Sequence, residues 1–254
     1  VPTLKDDGIC IRHWDWSETS QTVSVFTREH GIIRGLAKGA RREGAKFSGG
    51  LELATRGEIV AIVKAQESDH SLANLTAWDL LEVFGGVRQS LTGFTVAMGM
   101  LDIVQHAMIE RDPHPGLYDA LVSGLRRLEI EGEAVLAALG VAWSTVDNTG
   151  HRPELFVDSL DGAALPSAGL YGFDPKRGVV LADPGEQATQ VWRVRGETIE
   201  VLRALSTGAT IQVGAFSKEA CGRALKLLCY YFRELAGKQP PALRAMLESV
   251  TNGP

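Results

Sequence analysis

In the strand-like pieces between residues 8 and 65 apolar side chains recur at every second position, and over 77–140 and again from 196 they recur at every third or fourth. Alternation suits a strand with one buried face, whereas three-to-four spacing suits a helix. A chain whose opening has the strand period and most of whose remainder has the helical one is an α+β protein with its main sheet at the N-terminal end.

The alternating part divides into short pieces. Residues 8–14 form the first. Residues 21–29 carry Val23, Val25 and Thr27 on one parity. His30-Gly31 punctuates the chain, and residues 31–37 follow as the return strand of a hairpin whose tight turn Gly31 permits. Residues 39–50 are Gly-rich and basic and read as a loop. Residues 51–56 and 57–65 complete five strands. Five short strands in so short a segment predict a small Greek-key barrel of the OB type, although an SH3-like barrel fits the same pattern.

The helical part is predicted to begin at Ala77, with Thr76 as N-cap and Asp79 in the first turn. Residues 87–110 form a long apolar run with Met98, Leu101, Val104, Gln105 and Met108 at helical spacing. Asp112-Pro113-His114-Pro115 interrupts it. Helices are expected over 117–128, over 133–140 with Gly140 as its end, over 198–206, over 217–236 between Ser217 and Gly237, and over 243–250. Residues 141–195 are rich in Gly, Pro, Asp and Ser and predict a small irregular β insert, with a turn at Asp174-Pro175-Lys176-Arg177-Gly178. The expected organisation is therefore a five-stranded OB-fold barrel over 1–76, an α-helical domain over 77–140 and 196–254, and the β insert over 141–195.

A chain of 254 residues with 44% apolar content has enough material for a packed core. It has no run near the ~20 apolar residues of a membrane helix. Its first residues, Val1-Pro2-Thr3-Leu4-Lys5-Asp6-Asp7, lack a secretory apolar region. Cys10, Cys221 and Cys229 are odd in number and form no C-x-x-C pair, so they read as buried apolar groups in a cytoplasmic protein. No phosphate-binding Gly loop, nucleophile elbow or H-E-x-x-H spacing occurs. Asp158 and Asp161 near His151 have no specific metal spacing. The chain is expected to be a non-enzyme without cofactor.

The net charge of −5 counts against a general nucleic-acid binder. It conceals a local excess: Arg34, Lys38, Arg41, Arg42 and Lys46 fall within thirteen residues, opposed only by Glu43. Lys and Arg neutralise phosphates and release counterions, and small neighbours let a backbone approach a phosphate chain. Trp14, Trp16 and Phe47 offer surfaces on which bases stack. The alternatives are a solvated charged face and tryptophans that belong to the core. Arg193 and Arg195, alternating on a strand-like piece, extend the same path by their spacing.

Six segments stand out in order along the chain: Asp15-Trp16-Ser17-Glu18-Thr19-Ser20, Val25-Phe26-Thr27-Arg28-Glu29-His30-Gly31 and Gly35-Leu36-Ala37-Lys38-Gly39-Ala40-Arg41-Arg42, then Leu75-Thr76-Ala77-Trp78-Asp79-Leu80-Leu81-Glu82, Asp112-Pro113-His114-Pro115-Gly116-Leu117-Tyr118 and Gly172-Phe173-Asp174-Pro175-Lys176-Arg177-Gly178. Together they resemble the RecO family of bacterial DNA recombination and repair proteins. The resemblance implies an OB-fold, a helical domain interrupted by a zinc-ribbon-like insert, and a nucleoid-associated cytoplasmic protein. It implies binding of single- and double-stranded DNA, strand annealing, and help in loading recombinase. RecR and the C-terminal tail of single-strand-binding protein are the implied partners. Many relatives carry two Cys pairs in the insert that bind zinc. Residues 141–195 here contain no cysteine, which predicts an insert that folds without metal. A competing expectation is an adaptor of the repair machinery with little DNA affinity, using residues 87–108 as a groove for a partner's tail.

Overall fold

A computed structural model describes residues 3–47, 50–63, 72–166, 169–182, 190–208 and 210–251. Five strands open the chain: β1 (Thr3–Asp15), β2 (Gln21–Thr27), β3 (Gly31–Ala37), β4 (Thr55–Ile62) and β5 (Ala73–Val83). They close into a barrel in the order β1-β2-β3-β5-β4, with β4 pairing back onto β1. All pairs are antiparallel except β3 with β5.

The strands obey the period-2 rule on both faces. Cys10, Val23, Val25 and Ile33 point into the barrel, where they meet Ile59, Ala61, Leu75 and Trp78. Ile9, Ile11, Phe26 and Ile32 point outward and join the apolar core of the helices. Apolar side chains on both faces make β1 to β3 buried on two sides, where alternation predicts one buried face. At the seam, Arg56 pairs with Asp7 and Glu82 at 2.5 and 3.0 Å. The Tyr118 hydroxyl donates to the Asp7 carboxylate at 2.8 Å.

Two strand readings need correction. Residues 51–56 and 57–65 are not two strands: one strand, β4, runs from Thr55 to Ile62, and Lys64 and Ala65 lie outside the described residues. The fifth strand is the segment expected to open a helix at Ala77. Leu75 and Trp78 are both buried and three residues apart, which is a helical spacing. The cause is a β-bulge: Val60 pairs with Ala77 and Ala61 with Leu75, leaving Thr76 as the extra residue. The Thr76 hydroxyl is no cap; it donates to the Val60 carbonyl at 3.2 Å.

The helices follow as α1 (Gly85–Gln89), α2 (Leu91–Ala107), α3 (Pro115–Arg127), α4 (Ala134–Asn148), α5 (Gly196–Ser206), α6 (Lys218–Ala236) and α7 (Leu243–Thr251). The run expected over 87–110 is broken at Ser90, whose hydroxyl accepts from the Gly93 N–H at 2.9 Å and caps α2. α4 does not stop at Gly140 but continues to Asn148, because Val141, Ala142, Trp143 and Val146 are buried on its apolar side. α6 is bounded as expected, by the Ser217 cap and by Gly237 in the left-handed conformation.

The insert contains a three-stranded antiparallel sheet, β6 (Leu170–Asp174), β7 (Val179–Ala182) and β8 (Trp192–Arg195), in the order β7-β6-β8. The β6–β7 turn is closed by Asp174, whose carboxylate accepts from the Lys176 N–H at 2.9 Å. Phe173 packs edge-on against Tyr231 of α6 with ring centroids 5.1 Å apart. The donors that a zinc ribbon requires are missing. No cysteine lies in the insert, and His151 is its one histidine. No group of three or more potential metal ligands occurs among the described residues. The residues present do not fit zinc.

Candidate nucleic-acid interface

The basic segment leaves β3 at Ala37 and is folded tightly onto the β1–β2 turn. Gly39, with a φ of 67° that favours glycine, donates its N–H to the Ser20 hydroxyl at 3.0 Å. The Arg41 N–H donates to the Thr19 carbonyl at 3.1 Å. Short turns close from Gly39 to Arg42 and from Arg42 to Ala45, and the Lys46 carbonyl accepts from the Trp78 N–H of β5 at 2.8 Å. Buried Gln21 clamps the return of the chain, donating to the Leu51 carbonyl at 3.3 Å and accepting from its N–H at 3.0 Å.

Burial sorts the side chains of this segment. Ala40, Phe47 and Leu51 plug the barrel core. Lys38, Arg42 and Lys46 are thereby turned to solvent, and none has a carboxylate partner among the described residues. Arg41 is held to Asp15 at 2.6 Å and Arg34 to Glu110 at 3.1 Å. The local charge is therefore more balanced than the sequence implies, because Asp15 and Glu110 come from outside the segment and add to Glu43. Phe47 is 4% exposed and cannot stack on a base. Trp14 and Trp16 are 47% and 65% exposed. They flank Asp15, the partner of Arg41, on the turn that holds the basic loop.

The result is a compact surface: three cations without carboxylate partners among the described residues, two cations held in place by carboxylates, and two exposed indoles, on segments fixed to the barrel by backbone hydrogen bonds. Arg193 and Arg195 do not join it. They lie on β8 of the second sheet, exposed on either side of buried Val194 and beside α6. The cationic side of α6, which carries Arg223, Lys226 and Arg233, escaped the sequence reading. The helical spacing of these three would have revealed it.

The sequence is similar to that of known proteins over most of its length. The family model "Recombination protein O N terminal" matches residues 2–84, and "Recombination protein O C terminal" matches residues 88–244. The chain belongs to the recombination protein O family. The division between the two family segments follows β5 directly. Several curated relatives are matched over more than two thirds of their own length. A DNA repair protein RecO from Syntrophobacter fumaroxidans is 30% identical over 75% of this chain and 74% of its own length. One from Myxococcus xanthus is 27% identical over 80% and 82%. One from Salinibacter ruber is 31% identical over 68% and 71%.

Proposed function

We propose that this RecO-family chain binds DNA in recombinational repair through the surface formed by Arg34, Lys38, Arg41, Arg42 and Lys46, with Trp14 and Trp16 beside them. In this reading it binds and anneals single strands and helps to load recombinase onto strands covered by single-strand-binding protein. RecR and the tail of single-strand-binding protein are its partners, and it works in the cytoplasm at the nucleoid without catalysing a reaction. The observation that carries the reading is the exposure of Lys38, Arg42 and Lys46 without carboxylate partners among the described residues, on a loop whose backbone is fixed. Phosphates supply most of the attraction and indoles hold bases by stacking, so such a surface binds without sequence preference. Annealing follows when the charges of two strands are screened while base edges remain free.

Charge reversal at Arg41 and Arg42 tests it. Binding of labelled single strands should weaken for every sequence, and its salt dependence should flatten. Unchanged binding and slope would remove the loop from the interface. An adaptor role is a second reading, but not through residues 87–108 as a groove. The apolar side chains of α2, including Val96, Met100, Leu101 and Val104, are buried in the core. Leu91 and Phe94 are the exposed apolar residues at the start of α2. Among the described residues no helix is long and apolar enough to cross a membrane.

A further inference from the structure

A second cationic surface lies between β8 and α6. Arg223, Lys226, Tyr230 and Arg233 follow one another at i, i+3, i+7 and i+10. That spacing keeps them on one helix face over about 15 Å. The face is opposite Cys221, Ala224, Leu228 and Tyr231, which are buried. Across from it stands β8, whose Trp192 meets the Tyr230 ring edge-on at 6.4 Å. Together they bound a groove of about 640 Å³.

The charge of this groove is one-sided. Five cations line it, Arg193 and Arg195 from β8 with the three from α6, against two carboxylates, Glu234 paired with Arg233 at 3.4 Å and Glu197 at the edge. In a chain of net charge −5 this concentration is a local field and not a reflection of composition. Arg223 is oriented by Glu197 at 2.6 Å. Lys226 and Arg233 lie over the Tyr230 ring, at 5.6 and 5.0 Å from its centre. Arg195 and Lys226 have no carboxylate partner among the described residues. Cations in a row suit a linear polyanion. The aromatic pair favours nucleic acid over an acidic peptide, because every base has a face that stacks and a glutamate or aspartate side chain has none.

We infer that the β8–α6 groove is a single-stranded nucleic-acid site, with phosphates on Arg195, Arg223 and Lys226 and bases against Trp192 and Tyr230. This deepens the reading of the chain as a DNA-binding protein and rests on it. It does not rest on the barrel loop, because the two surfaces belong to different elements.

The test uses the full chain, labelled oligothymidylate and a series of salt concentrations. The Arg195→Ala/Lys226→Ala variant should lower the magnitude of the salt slope by about 1.4, two contacts at roughly 0.7 each for a single strand. An Arg195→Lys/Lys226→Arg variant should restore it. Strands containing 4-thiothymidine should photocrosslink to residues 190–195 or 226–234, a readout that does not depend on a variant's stability. An unchanged slope together with no crosslink in those segments overturns the inference. So does loss of oligo-glutamate binding in the alanine variant while the single-strand slope stays intact, since the groove would then be a peptide site. If the Arg41→Glu/Arg42→Glu loop variant keeps full binding and the groove still crosslinks, the loop reading fails and the groove stands.

Discussion

At the scale of single residues, Arg203 shows how an insert without zinc ligands is held. Its side chain is 12% exposed. Nε donates to the Leu155 carbonyl at 2.9 Å and Nη1 to Glu200 at 2.6 Å. The guanidinium also lies over Phe156 and Tyr171, 5.6 and 5.9 Å from the ring centres. One planar cation thus ties α5 to two separate parts of the insert. Lysine retains the charge but loses the planar fork. Arg203→Lys should therefore cost about 1–3 kcal/mol in denaturant unfolding, with hydrogen exchange accelerated first across residues 154–182. Equal stability and unchanged exchange would show that the insert is held by other contacts. Glu82 gives a pH prediction. Hydrogen bonds from Arg126, and then from Arg56, hold its carboxyl below the ordinary glutamate range, against the opposing effect of partial burial. Its stabilising contribution is complete above the ordinary value of about 4.3. That contribution is lost as pH falls through the lowered folded value. Glu82→Gln should be less stable than the parent at neutral pH, and the gap should narrow on acidification. A gap that does not change with pH would contradict this.

At the scale of elements, Gly140 separates two accounts of α4. If the helix ended there, as its glycine implies, alanine would be strained in a left-handed cap. In the structure Gly140 lies inside the helix with open space where a Cβ would project. Gly140→Ala should then raise stability by roughly 0.5–1 kcal/mol, read as a higher denaturant midpoint. A lower midpoint would restore the helix end to Gly140. The elements that were legible in the sequence are those whose local signals and packing agree. The β2–β3 hairpin is one, with Gly31 at a φ of 68° where only glycine is at ease. α6 is another, bounded by Ser217 and Gly237. The elements that misled are those where one local feature imitates another. The bulge at Thr76 sets Leu75 and Trp78 three apart, so a barrel strand takes on a helical rhythm. Gly140 imitates a terminus because the burial of Val141 and Val146, which carries the helix on, depends on contacts distant in sequence. The basic loop was legible as charge, but its pairing with Asp15 and Glu110 was not, since neither carboxylate is part of the segment. Phe47 shares the loop with the cations, and only the closure of the barrel shows that it is a plug and not a platform.

At the scale of the whole molecule, the acidic total and the DNA-binding reading are compatible because two groups of cations are concentrated locally. Many of the chain's other arginines are paired structurally. Arg12 meets Asp102 at 2.6 Å, Arg127 meets Glu133 at 2.5 Å, and Arg56 and Arg126 share Glu82. On the proposed reading, phosphates meet the cations of the barrel loop and of the β8–α6 groove. The outer face of the barrel, the helices and the insert share one apolar core, so the loop is mounted on a fixed body. The most direct measurement of the central claim is the salt dependence of single-strand binding by the parent chain and by Lys38→Ala/Arg42→Ala/Lys46→Ala. Three phosphate contacts at roughly 0.7 each predict that the slope of log K against log salt falls in magnitude by about 2 in the variant, with weaker binding to every sequence at low salt. Identical slopes and affinities in the two proteins would show that the loop is a solvated face and that DNA is held elsewhere.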